Sequence, residues 1–301
     1  MPFKKKKISA YEAMYEAQKI AFAPVIFQVV RSLRDLGVLT LLEQSGKDGL
    51  TAQDISRELH LSEYSIRTLL ETGLSCHVVE HKEPPCEHYE DAVFLLSKTG
   101  HYILNDDMTK ANMDFNHDVC YHGLAEVDNA FKNNKPEGLK VFGDQWDTIY
   151  EALPHLPDKV RKSWDRFDHY YSDSTYPLVL PTILKNQPKT IVDIGTNKGD
   201  FAILMANSDP DIDITMIDLP DQLEIAKKNI AEAGISNRVT AEAMNVLDTK
   251  LPFPEGRDIY WISQFASCFS GSELVSIFER IAAAMTQESR LFILETCWDR
   301  Q

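Results

Sequence analysis

The residues best suited to chemistry lie in one run: Asp193, Ile194, Gly195, Thr196, Asn197, Lys198 and Gly199, with Asp218 following 19 residues after Gly199. The run ends a short apolar stretch, residues 190–194, that reads as a strand closing on an acid. Glycine at 195 lets the turn pass close to a ligand without a Cβ clash, and Gly199 would open the next helix. Asp193 could organise the loop through its backbone N–H groups. Asp218 ends a second apolar stretch, and a carboxylate there can accept both hydroxyls of a ribose.

Two other readings compete for this loop. A plain tight turn also wants glycine. A nicotinamide dinucleotide site also wants an acid at a similar distance, but its fingerprint is G-x-G-x-x-G. Here the spacing is G-x-x-x-G with Asn197 inside, which favours a nucleoside ligand without a pyrophosphate. S-adenosylmethionine is the obvious ligand of that kind.

The elements that must hold these residues alternate from residue 189 onward. Strands are predicted at 190–194, 212–217, 238–241, 258–263 and 290–295, with helices at 201–206, 223–233 and 273–285. That alternation argues a parallel, doubly wound α/β sheet with its ligand at the strand carboxyl ends. The first part of the chain differs. Residues 10–45 carry apolar residues at helical spacing, punctuated by Gly37 and Gly46. Thr51, with Asp54 three residues on, predicts a capped helix over 52–59, and Ser62 caps a second helix carrying Tyr64, Ile66, Leu69 and Leu70. After Gly73, strand-like runs at 76–79 and 93–96 flank a polar loop with Pro84 and Pro85. Helix, turn, helix and two-stranded wing is the order of a winged helix. Residues 100–185 read as mostly helical, with loops at 133–138 and near Pro154 and Pro157, and a helix over 159–172.

Composition sets limits. The 301 residues suggest two domains, and 44% hydrophobic with 26% charged residues is globular usage. A net charge of -15 disfavours nucleic acid as a partner, because phosphate neutralisation needs clustered cations. No apolar run approaches the length of a membrane span, and Glu12 and Glu16 break any signal-peptide core. Lys4 to Lys7 reads as a solvated tail. Five cysteines without a Cys-x-x-Cys predict a reduced, cytoplasmic protein with neither a disulfide framework nor a zinc site.

On Asp193-Ile194-Gly195-Thr196-Asn197-Lys198-Gly199, on Asp218-Leu219-Pro220, and on the segment from Arg238-Val239 to Asn245-Val246, the chain resembles a family. This is the S-adenosylmethionine-dependent O-methyltransferases with an N-terminal winged-helix dimerisation domain, found as plant caffeic-acid-type and bacterial hydroxyindole-type enzymes. The resemblance implies a dimerisation domain over 1–105, a helical linker lining the acceptor pocket over 106–185, and a Rossmann-like domain over 186–301. It implies a homodimer acting on a small-molecule methyl acceptor, with S-adenosylmethionine as cofactor. Asp193, Gly195, Asn197 and Gly199 would hold the methionine part of the cofactor, Asp218 the ribose, and Leu219 the adenine. Asn245 falls where the family has an acid that meets the adenine amino group, although a turn residue is also expected there. Val246 and Ser263 occupy two further cofactor positions.

Three departures stand out. Thr196 and Asn197 replace inner glycines of the loop, though asparagine tolerates a left-handed backbone. The family's catalytic histidine falls on Ser267, followed by Cys268 and Phe269, and serine is no base near pH 7 without an activator. Transfer could then persist on an amine, a thiolate or an acidified phenol, or be lost. Last, the sequence stops at Cys297-Trp298-Asp299-Arg300-Gln301, where the family fold adds a helix and a strand hairpin. The expectation is a sheet lacking its last two strands, from a C-terminally incomplete reading frame or with a partner on the apolar edge at 291–294.

No catalytic residue is assigned from the sequence. His122 and His169 are the histidines to watch, against the ordinary reading of partly exposed helical side chains. Cys268 reads as a small buried thiol, and Trp146, Trp164, Tyr170 and Tyr171 as core more than pocket wall. The leading function is methyl transfer to a small aromatic or planar acceptor. The alternative is a cofactor-binding relative without transferase activity, motivated by Ser267. A winged-helix DNA-binding regulator is disfavoured, because the candidate recognition helix offers Arg67 against Glu63 and Glu71.

Overall fold

The computed structural model describes residues 8–82 and 88–296. The expectations for Lys4 to Lys7, Pro84, Pro85, Cys86 and residues 297–301 fall outside them. The chain divides into two compact units, Pro2–Tyr170 and Tyr171–Gln301.

The first unit opens with helices α1 (Ala10–Asp35) and α2 (Val38–Ser45), separated by Gly37 at φ 90. Next come β1 (Leu50–Thr51), α3 (Ala52–Leu59), α4 (Glu63–Ser75), β2 (Val79–His81) and β3 (Val93–Leu96). Thr51 caps α3 through a reciprocal box with Asp54, and Ser62 caps α4 by accepting from the Ser65 N–H. The wing is three-stranded, because β1 pairs with β3 opposite β2, and two residues were too few for the sequence pattern to register.

The expected strand at 76–79 is shifted. Cys76 closes α4, His77 turns the chain at φ 58, and pairing begins at Val79. Gly73 does not end the helix as its type suggested. It lies inside α4, where a Cβ would sit 2.9 Å from Val79 and 3.1 Å from Leu33, so glycine permits close packing. Leu33, Leu39, Leu42, Ile55, Ile66, Leu70 and Phe94 form the core of this unit.

Helices α5 (Lys98–Asn105), α6 (Asp107–Phe115), α7 (Val127–Asn133) and α8 (Ile149–Ala152) follow, with a π-helical turn at Asn116–Cys120. The expected loop at 133–138 runs into a 3₁₀ turn, Glu137–Phe142. Gly100 in α5 is tightly enclosed: a Cβ would lie 2.3 Å from the Val78 carbonyl oxygen and 2.6 Å from Leu96. Gly100→Ala is therefore expected to destabilise this unit by about 1–3 kcal/mol or more, the usual cost of overpacking. Urea unfolding followed by circular dichroism checks this.

Helix α9 (Asp158–Leu184) is far longer than the predicted 159–172 and continues through Pro177 and Pro181. Proline inside a helix costs ~3 kcal/mol. Here Tyr176, Val179, Leu180, Ile183 and Leu184 pack against the sheet core, and that burial offsets the cost.

The second unit runs β4 (Thr190–Ile194), α10 (Asp200–Ser208), β5 (Asp213–Asp218), α11 (Pro220–Glu232), β6 (Val239–Ala243), β7 (Ile259–Ser263), α12 (Gly271–Ala284) and β8 (Arg290–Leu294). Strand β6 reaches two residues further than expected, because it stays in register with β5 through Asp218 and Ala243. Helix α12 starts at Gly271, because Ser270 and Glu273 form a capping box that the sequence reading passed over.

All described pairings in this sheet are parallel, in the order β6-β5-β4-β7-β8. Both faces are covered. Ile191, Ile214, Met216, Ile259 and Trp261 pack with α10 and α11 on one side. Val192, Ile194, Ile217, Tyr260 and Ile262 pack with α12 on the other. Strand order reverses beside β4, so the carboxyl ends of β4, β5 and β7 meet at the switch point.

Candidate functional site

At that switch point the chain leaves β4 in an unusual conformation. Gly195, Asn197 and Gly199 have φ of 76, 52 and 84, so three of five residues are left-handed. The loop is tied down from β5: the Gly195 and Thr196 N–H groups donate to the Ile217 carbonyl at 2.8 and 3.2 Å. Asn229 on α11 donates to the Lys198 carbonyl at 3.0 Å. Gly199 caps α10, and a Cβ there would meet Met216 at 3.3 Å.

Two acids flank the loop. Asp193 is 3% exposed and accepts the Thr196 hydroxyl at 2.6 Å. Asp218 accepts the Asn197 N–H at 2.8 Å on one oxygen and the Leu219 N–H at 2.7 Å on the other. Each carboxylate oxygen has two lone pairs, so Asp218 can still accept ribose hydroxyls.

Burial pushes the Asp193 carboxyl up to about 7, the Thr196 hydroxyl works against it, and the charges of Asp218 and Asp200 add to it. Asp218 is also raised by burial, against the N–H groups of Asn197 and Leu219. For Asp193 the folded value lies above the unfolded 3.8. Between these values the native state holds a proton that the unfolded state has released, so stability falls as pH rises through the window. The melting temperature of wild type minus that of Asp193→Asn is expected to decline from about pH 4 to about pH 7 and then level off. Scanning calorimetry of the unliganded pair checks this.

The remaining predicted positions are distributed unevenly. Ser263 ends β7 with its Oγ buried and without a hydrogen-bond partner among the described residues. Leu219 is half-buried at the start of α11. Asn245 is exposed, and its side-chain oxygen accepts the Leu247 N–H at 3.0 Å, which is the geometry of an Asx turn. Val246 is buried among the residues under the sheet. His122 and His169 lie in the first unit, and Cys268 is exposed rather than buried. Among the described residues Cys76 and Cys120 are free thiols.

Sequence reasoning missed three participants. Phe265 lies against Gly195, where a Cβ would fall 2.6 Å from its ring. Gln264 is left-handed at φ 50, with its N–H on the Leu294 carbonyl at 2.8 Å and its side chain on Ser172 at 3.1 Å. Glu295 accepts the Ser267 N–H at 3.2 Å and so fixes the Ala266–Cys268 turn. Glu295 follows from the parallel register that sets Ser263 beside Leu294, which the sequence does not display.

The donor set fits S-adenosylmethionine. A left-handed loop can approach the methionine moiety closely, Asp218 suits a ribose, and a buried acid suits the cationic parts of the molecule. The Ser263 Oγ, which has no partner among the described residues, adds a buried polar atom at the same strand ends.

Comparison with known proteins agrees. Residues 15–86 match the Dimerisation2-like domain and residues 173–301 the O-methyltransferase domain. The L-tyrosine C(3)-methyltransferase of Streptomyces lavendulae is 21% identical over 280 residues, covering 92% of this chain and 73% of that protein. A mitomycin biosynthesis 6-O-methyltransferase of the same organism is 27% identical over 154 residues, covering 51% of this chain and 43% of its own. Among solved structures, the S-adenosylmethionine-dependent methyltransferase SibL superposes with a TM-score of 0.70 at 20% identity, covering 94% of this chain and 80% of that one.

Proposed function

The chain belongs to the S-adenosylmethionine-dependent methyltransferases that carry an N-terminal dimerisation domain, and from that premise we propose that it methylates a hydroxyl oxygen of a small aromatic or planar acceptor as a cytoplasmic homodimer. The observation that carries the reading is the left-handed loop after β4, hydrogen-bonded to Asp218 at the switch point of a parallel sheet. In this reading Gly195, Asn197, Gly199 and Asp193 cradle the methionine part, and Asp218 takes the ribose. Leu219, Asn245 and Val246 lie on the adenine side, and Ser263 offers its unpaired hydroxyl.

When bound, S-adenosylmethionine supplies an electrophilic methyl group. The protein contributes position and a desolvated setting, which can account for a large part of such a rate. Ser267 stands where the resemblance places a histidine, and its backbone is held by Glu295. A serine there does not remove the acceptor's proton at neutral pH, so the proposed acceptor is one that ionises readily, such as an acidified phenol. No helix among the described residues is long and apolar enough to cross a membrane.

The test is calorimetric titration with S-adenosylmethionine and S-adenosylhomocysteine, then methyl transfer to a series of phenols of graded acidity. Micromolar binding and rates that rise with phenol acidity support the proposal. Binding without transfer to any member favours the cofactor-binding relative. A folded protein that binds neither molecule refutes the reading.

A further inference from the structure

The loop at 195–199 bears Thr196 and Asn197 where the resemblance leads one to expect glycine, and each holds the loop at one flank, the first through its side chain and the second through its backbone. Thr196 is 6% exposed, and its hydroxyl donates to Asp193 Oδ2 at 2.6 Å. Among the described residues it is the one hydrogen-bond donor to that carboxylate. Asn197 adopts φ 52 and directs its backbone N–H to Asp218 Oδ2 at 2.8 Å. The loop is thus held at both flanks, by a side-chain hydroxyl on the β4 acid and a backbone amide on the β5 acid. Glycines at these positions would leave the same backbone free to sample many conformations, with a larger entropy loss on ordering.

We propose that Thr196 is a positioning residue for the cofactor: its hydroxyl pins Asp193 and sets the loop in its binding conformation before the ligand arrives. This rests on the loop being the cofactor cradle. A preformed loop spares the ligand the ordering cost, which raises affinity without any contact to it.

The structure also separates Thr196 from its neighbour. What Asn197 supplies to Asp218 is a backbone N–H, which any residue tolerating that φ retains, whereas Thr196 supplies a hydroxyl. Thr196→Ser keeps the donor, Thr196→Val keeps the shape without it, and Thr196→Gly restores the glycine of the resemblance.

Calorimetry with S-adenosylhomocysteine is expected to show Thr196→Ser within a few-fold of wild type and Thr196→Val weaker by about tenfold, the upper end of what one buried hydrogen bond is worth. Thr196→Gly is expected to be at least as weak as Thr196→Val. Equal affinity of Thr196→Val and wild type, or tighter binding by Thr196→Gly, overturns the proposal. Hydrogen exchange on unliganded wild type gives a reading independent of how any variant folds. The Asn197 amide should be protected, and exchange at the free-peptide rate overturns the preformed loop. Protection together with no binding of S-adenosylhomocysteine by wild type refutes the cofactor reading instead.

Discussion

Asp218→Ala is expected to weaken S-adenosylhomocysteine binding by about a hundredfold or more, to the edge of calorimetric detection. Two losses combine. In the proposed reading the ribose loses its acceptor, and the N–H groups of Asn197 and Leu219 lose theirs. Each part-buried donor left unpaired costs ~1–3 kcal/mol, and the loop that Asn197 anchors relaxes as well. Asp218→Asn separates the two effects. Its amide oxygen still accepts one N–H, but its NH₂ faces the other donor, so affinity should fall between wild type and Asp218→Ala. Affinity unchanged in Asp218→Ala would remove this residue from the site.

Gly195→Ala should be the most damaging small substitution in the second unit. The residue sits at φ 76, where a side chain is strained, and the added Cβ would lie 2.6 Å from the Phe265 ring. Strain of ~1–2 kcal/mol and overpacking of ~1–3 kcal/mol are separate costs. The expected result is a marked fall in melting temperature with loss of S-adenosylhomocysteine binding. Phe265→Ala removes the clash but not the backbone strain. The double variant should therefore recover part of the stability lost by Gly195→Ala, and a double-mutant cycle in thermal unfolding would show the coupling. Strict additivity would mean that Phe265 does not bear on Gly195.

Local signals carried much of the fold. Thr51 with Asp54 announced α3 to the residue, and the apolar run closing on Asp193 announced β4. The strand–helix alternation after residue 189 was enough for the parallel sheet, because each crossover is a local pattern. What escaped was long-range. The helix expected over 159–172 continues through Pro177 and Pro181 to Leu184, and burial of Tyr176, Leu180 and Ile183 against the sheet core sustains it.

The same divide runs through the site. Gly195, Asn197, Gly199 and Asp218 are legible because their backbone demands are written in residue type and spacing. Phe265, Gln264 and Glu295 are not, because they reach the loop or its neighbouring turn through a tertiary register. Asn245 shows the converse: the resemblance assigns it a cofactor contact, and in the structure its side-chain oxygen serves a local turn.

The strand order also sets a clock. Ile191 pairs with Ile214 on one side and with Ile259 on the other, 68 residues further along the chain. At ~5–20 residues per second of synthesis, β4 waits roughly 3–14 s after it is made before its second neighbour exists. During that interval one of the most apolar strands of the protein has an open edge on the ribosome. The winged-helix unit is complete before β4 is made. Yield during expression should therefore be limited by the central strand of the methyltransferase sheet, and slowing growth by cooling or supplying holdase chaperones acts on that interval rather than on the stability of the finished fold.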